Sequence, residues 1–225
     1  MKAYRIKLSA WTSSFRYPNI LSGFQPTLPV PPISTVLGII NACAGTYLSH
    51  DEVSLGYYFE YGAKSVDLET IYQVELDSKN VPKNQMKSNV IRREFLYDTH
   101  LYVYLFDPQL AAYFRAPAYP LLLGRSSDLA TVEAIEKVVL EDYPMATKIK
   151  GQLVPFKSHH LPGLIQALPK YFTNEIPRNN IGTEAYSVIP FDALDFPTTI
   201  LAYRDHIEGK DIDIFIHKLN LADKE

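Results

Sequence analysis

With 225 residues, 47% of them apolar, the chain can fill one large domain, or one domain with a smaller extension. A formal net charge of −3 argues against a free-standing, non-specific nucleic-acid binder, which is plainly basic, but leaves room for a local basic site. The apolar runs fall far short of the roughly 20 residues of a membrane span, and the first residues alternate instead of forming a signal segment, so a cytoplasmic protein with no membrane partner is expected.

In chain order, Lys2 to Thr12 alternates with period two, placing Tyr4, Ile6, Leu8 and Ala10 on one face of a strand. The loop that follows carries Phe15, Arg16 and Tyr17; such a set can stack on bases and bind phosphate, or simply anchor the loop. Pro29, Pro31 and Pro32 then fix an extended approach to a helix in which Ile33, Val36, Leu37, Ile40 and Ala44 form a buried stripe, with Gly45 as a left-handed stop. Gly38, in mid-helix, is expected to make room for a close backbone. The one cysteine, Cys43, lies in this helix, which excludes a disulfide framework; neither a carboxylate cluster nor Cys/His spacing points to a metal, and no cofactor is expected. Val53 to Lys64 and Val66 to Leu76 read as two further strands.

Between Asp77 and Val90 the pattern stops, and Lys79, Lys83, Lys87, Arg92 and Arg93 accumulate with no acidic residue among them, as a basic projection suited to a phosphate backbone or as a solvated hairpin tip. Val90 to Phe106 resumes as a strand and Gln109 to Phe114 as a short helix. Ser126, Ser127 or Asp128 then caps a predicted helix carrying Leu129, Val132 and Ile135, with Arg125 just ahead of it as an anion-binding candidate. The order β, α, β, β, β, α is that of an α+β, ferredoxin-like (RRM-like) domain over residues 1–142, with a thumb at about 77–92. A smaller β-rich extension over 143–225 closes with strands at Phe196–Tyr203 and Asp211–Leu219. The basic-Gly-aromatic run of the RNA-recognition motif is missing, so bases are not expected to stack on the sheet.

Three motifs together, Pro26-Thr-Leu-Pro-Val-Pro-Pro32 with the helix ending Leu37-Gly-Ile-Ile-Asn-Ala-Cys-Ala-Gly45, the strand start Arg93-Glu-Phe-Leu-Tyr-Asp98, and Tyr119-Pro-Leu-Leu-Leu-Gly-Arg-Ser-Ser-Asp-Leu-Ala130, resemble Cas protein family five. These are RAMP-superfamily subunits of type I CRISPR Cascade complexes. The resemblance covers roughly Met1 to Val132 and implies a domain that grips the 5′ handle of the CRISPR RNA with its hairpin as a thumb. It implies the backbone and large subunits as neighbours, and target DNA as a partner through the assembled complex. On this reading Arg16, Lys79, Lys83, Lys87, Arg92, Arg93 and Arg125 bind RNA. One branch of the family cuts precursor RNA without metal, using a tyrosine after the first helix and a lysine and histidine before the Leu-Gly turn. Here Tyr47 falls late, and Arg115-Ala-Pro-Ala-Tyr-Pro120 holds no histidine. The expectation is therefore a non-catalytic RNA-binding subunit. The alternatives are a metal-independent endoribonuclease, whose acid and base would be His159 and His160, and a purely structural scaffold.

Overall fold

The computed structural model describes residues 1–20, 23–49, 53–83, 87–157, 159 and 161–220. Its elements in chain order are β1 (Lys2–Ser13), β2 (Phe24–Gln25), α1 (Ile33–Ala44), β3 (Val53–Gln73), β4 (Lys87–Leu105), α2 (Pro108–Tyr113), β5 (Leu121–Leu122), β6 (Leu129–Val139), β7 (Glu141–Tyr143), β8 (Gln152–Pro155), β9 (Leu164–Phe172), β10 (Asn180–Ile189), β11 (Ala202–Ile207), β12 (Lys210–Ile214) and β13 (His217–Leu219).

The main sheet runs in the order β13-β3-β4-β1-β6-β5, with β2 added in parallel to β4. Alternation in β1 sorts its side chains as the sequence predicts: Ile6, Leu8 and Ala10 enter the core beneath α1, while Arg5 and Lys7 face the other side. That other side is not open to solvent, because Tyr58, Tyr102 and Tyr104 pack there against Ile207, Ile212 and Ile214 of β11 and β12. Helix α1 begins and ends where its sequence says. Pro32 is the N-cap, and Gly45 at φ 72° closes the helix with its N–H donating to the Asn41 carbonyl at 2.9 Å.

The α+β, ferredoxin-like class does not survive. The protein is mostly β, with 53% of the described residues in strands and bridges and 9% in helices, and its antiparallel sheet curls into a half-barrel. The decisive element is β6, expected as a helix. It pairs antiparallel with β1, but the register shifts between Lys7 and Leu8: Lys7 faces Ala134 and Leu8 faces Val132, which leaves Glu133 as an extra residue. The bulge puts Val132 and Ile135 on one face three residues apart, a spacing that imitates a helix. The second departure is that Val53–Lys64 and Val66–Leu76 form one strand, because Ser65 stays in the ladder opposite Phe95. Of the closing strands, Phe196 to Leu201 is not extended pairing; β11, β12 and β13 take that place, and β13 pairs with the outer edge of β3.

Beyond Tyr61 the β3–β4 hairpin leaves the core. From Gly62 to Gln73 every residue but Glu69 is exposed, so the expected basic projection is the far end of a long arm braced at its root by β2.

Candidate nucleic-acid interface

The turn Gly124-Arg125 is held against the loop after β1. The Ser14 N–H donates to the Leu123 carbonyl at 3.0 Å, and Gly124, at φ +126°, lies so close that a Cβ there would stand 2.0 Å from the Ser14 carbonyl oxygen. Only glycine fits, and its absence of a side chain is what brings Arg125 beside Arg16. Between them lies a 340 Å³ cavity also lined by Ser34 and Thr35, in the first turn of α1, and by Phe172. That helix start has no side-chain cap and no acidic residue in its first turn, so its free N–H groups and the helix dipole favour an anion. Arg125 was picked out as preceding a helix; it precedes β6, and the helix N-terminus it stands near is that of α1.

The two arginines are not equivalent. Arg16 is exposed and makes no ion pair among the described residues. Arg125 is mostly committed: the fully buried Asp128 carboxylate accepts from its backbone N–H at 2.9 Å and from its guanidinium at 3.0 Å, and also from the Thr12 hydroxyl at 2.6 Å. Burial is the largest influence and works against the Arg125 charge, but the Asp128 hydrogen bond and charge, with Glu69 and Asp67 nearby, together hold the guanidinium above its ordinary range. In the loop of Arg16, Phe15 is an anchor, packed edge-on to Phe59 at 5.4 Å in the core, and Tyr17 is half-buried.

A second cavity of 480 Å³ opens at the other end of α1, with Gly38 on its floor and Tyr47, Tyr119, Tyr171 and Arg178 around it. Ser34 and Phe172 line both cavities, so the two adjoin along the outer face of the helix. Three arginines and not one carboxylate line this pair of cavities, in a chain with 25 acidic residues. The close backbone expected at Gly38 is not there: a Cβ would meet nothing within 4 Å.

The arm distributes its cations differently from what the sequence suggests. Glu75, counted in the strand, pairs with both Lys87 and Lys83, at 2.5 and 3.2 Å, and these two lysines, Lys87 first, hold its carboxyl below the usual range. The Asp77 carboxylate accepts from the backbone N–H groups of Lys79 and Val81 and fixes the turn, leaving the Lys79 ammonium without an ion pair among the described residues. Arg92 lies over the Phe24 ring at 5.6 Å. Arg93 is 1% exposed, its Nε donates to Glu69, and its two terminal nitrogens have no partner, so it braces the arm's root and presents nothing to a backbone outside.

His159 lines neither cavity; its ring packs edge-on to Phe215 at 5.6 Å and burial lowers its pKa. His160 lies outside the described residues. Burial raises the Tyr47 hydroxyl, which donates to the Phe172 carbonyl at 3.2 Å, and pushes the Cys43 thiol up to about 12. No group of three or more potential metal ligands occurs among the described residues. Arg178 escapes sequence reasoning altogether, since it sits between β9 and β10 in a stretch without periodicity.

The family model described as CRISPR-associated protein (Cas_Cas5) matches residues 4–179. Two solved structures share the fold. A chain of a CRISPR RNA-guided surveillance complex superposes with TM-score 0.55 at 18% identity, covering 89% of this chain and 91% of that one. A chain of the Type III-B Cmr-beta bound to cognate target RNA and AMPPnP does so with TM-score 0.56 at 8% identity, covering 87% and 86%. No curated protein sequence matches. With more than half of its length matched by the family model, the chain belongs to the Cas5 family of CRISPR-associated proteins, which places its role in CRISPR defence.

Proposed function

We propose that this chain is a non-catalytic RNA-binding subunit of a type I surveillance complex, holding the 5′ handle of the CRISPR RNA and contacting the backbone and large subunits. Target DNA is then met only through the assembled complex. The observation that carries the reading is the carboxylate-free groove along α1, with Arg16 and Arg125 at the helix N-terminus and Arg178 at the far end. An overall acidic chain that keeps every carboxylate out of one cationic groove is arranged for a polyanion. The exposed arm, with Lys79 at its tip, offers a second place for the strand to lie.

The absence of catalysis is supported by the groups that line the groove. Metal-free cleavage of RNA needs one group to take the 2′-hydroxyl proton and one to protonate the leaving oxygen. Burial raises the pKa of Tyr47 and Tyr171 and both hydroxyls are engaged in hydrogen bonds, so both stay protonated at neutral pH and neither stands ready to take a proton.

Filter binding of a CRISPR-repeat RNA over a series of salt concentrations tests the reading. For single strands the slope of log K against log salt changes by about 0.7 for each phosphate contact. Arg16→Ala is expected to flatten the slope by about 0.7, and Arg16→Ala with Arg178→Ala by about 1.4. Slopes equal to wild type would overturn the placement of RNA in this groove. A discrete cut of the same RNA in EDTA would overturn the non-catalytic assignment.

A further inference from the structure

We infer that the 480 Å³ cavity at the C-terminal end of α1 is a subsite for one unstacked nucleobase, received between Tyr119 and the helix face at Gly38; this rests on the RNA reading above. The cavity is walled by rings held in place. Tyr47 and Tyr171 stack at 5.3 Å with their planes 20° apart. The Tyr171 hydroxyl receives the Asn41 amide and donates to the Leu48 carbonyl at 3.1 Å, and Tyr47 is tied to Phe172. Across from this pair, the Ala118 and Tyr119 N–H groups donate to the Cys43 and Ala42 carbonyls, each at 3.1 Å, so the end of the helix itself carries the Tyr119 backbone. The Tyr119 ring, by contrast, is 59% exposed, an aromatic face whose backbone is fixed but whose surface is uncovered.

The chemistry selects a base over other guests. An exposed tyrosine beside a cavity lined by two further tyrosines suits a flat ring, and stacking on tyrosine serves every base because each has a π-face. The neighbouring Arg16–Arg125 cavity and Arg178 at the mouth supply cations on either side, where the phosphates flanking an extruded base would lie. The free space over Gly38 is the opening through which the ring enters.

A double-mutant cycle between protein and RNA tests this. Repeat RNAs carrying one abasic nucleotide, moved position by position, are bound to wild type, Tyr119→Ala and Gly38→Leu. One position should lose about tenfold in affinity for wild type and lose almost nothing further for either variant, as expected when one stacking contact is removed from either side. Gly38→Leu puts apolar bulk into the cavity while leaving every arginine in the sequence and improves helix propensity, and its melting temperature reports that it folds. If no position couples to Tyr119 or Gly38 while Arg16→Ala still flattens the salt slope, the base subsite is wrong and the RNA reading stands. If the chain retains no repeat RNA, both fall.

Discussion

His217 is the group whose burial most directly converts pH into stability. Its ring is 2% exposed, set among Phe215 at 5.0 Å, Tyr57 at 6.3 Å and Tyr186 at 6.4 Å, and neither ring nitrogen has a hydrogen-bond partner. Lys170, Glu184 and Lys218 line the cavity that His217 also borders, and none of them forms an ion pair with it. Burial pushes its pKa down to about 3, whereas an unfolded histidine titrates near 6.5. The unfolded chain therefore binds this proton first as pH falls: the stability is complete above pH 6.5 and is lost through the window down to about pH 3. At pH 5 the linkage amounts to about 2 kcal/mol, from RT ln of the ratio of the two protonation factors. His217→Phe keeps an aromatic ring in an aromatic pocket and removes the proton. Urea unfolding at pH 7 and pH 5 should show wild type losing about 2 kcal/mol more than the variant over that interval, with every other titrating group common to both. Equal losses in the two proteins would refute the assignment of a neutral, buried His217.

Two further outcomes follow from particular contacts. Asp128→Ala removes the acceptor of Thr12 and Arg125 and leaves a partly buried guanidinium with only Asp67, at 3.7 Å, as a counter-charge, so it should cost about 3 kcal/mol, read as a fall in melting temperature of roughly 10 °C for a chain of this size. Gly38→Ala should do the opposite, stabilising by about 1 kcal/mol in thermal denaturation because a helical glycine is exchanged for the best helix former and the new Cβ meets nothing; a loss of stability would mean the space is not free.

How far the sequence could be read depended on whether independent local signals agreed. In α1 three did: the proline entry, the apolar stripe and the glycine stop name the same boundaries, and the helix runs Ile33–Ala44. In β6 they collided, because a β-bulge at Glu133 turns a period-two strand into apparent three-residue spacing, and one false helix was enough to tip the chain into the wrong fold class. In the candidate site, residue type singles out Arg16 and Arg125, but the partners that separate a free cation from a committed one are long-range. Glu75 pairs with both Lys83 and Lys87 at the arm's tip, offsetting one of their two charges, and Glu69 holds Arg93 beside the ladder set by the β3–β4 register. Arg178 had no local signal because its place, just after β9, is fixed by β9 folding onto α1.

The same partners explain how an acidic chain can serve a polyanion. On the face of the sheet away from α1, Arg5 bonds Glu136 and Asp205, and Lys7 meets Glu133 and Glu208; on the C-terminal strands Arg204 is taken by Asp213. These cations are spent within the fold, and each brings a carboxylate with it. Arg16 and Arg178 along the α1 groove, and Lys79 at the end of the arm, are among the described cations that no carboxylate takes, and in the groove no carboxylate stands beside them on the cavity walls. Net charge counts all of these alike, while an RNA strand in the groove meets only the cations on its walls. It follows that moving charge on the face away from α1, for example Glu208→Gln, should leave the salt slope of RNA binding where it was, although it alters the net charge by as much as Arg16→Ala does. A slope that tracked net charge wherever the substitution lay would mean that binding is diffuse and that the groove is not its seat.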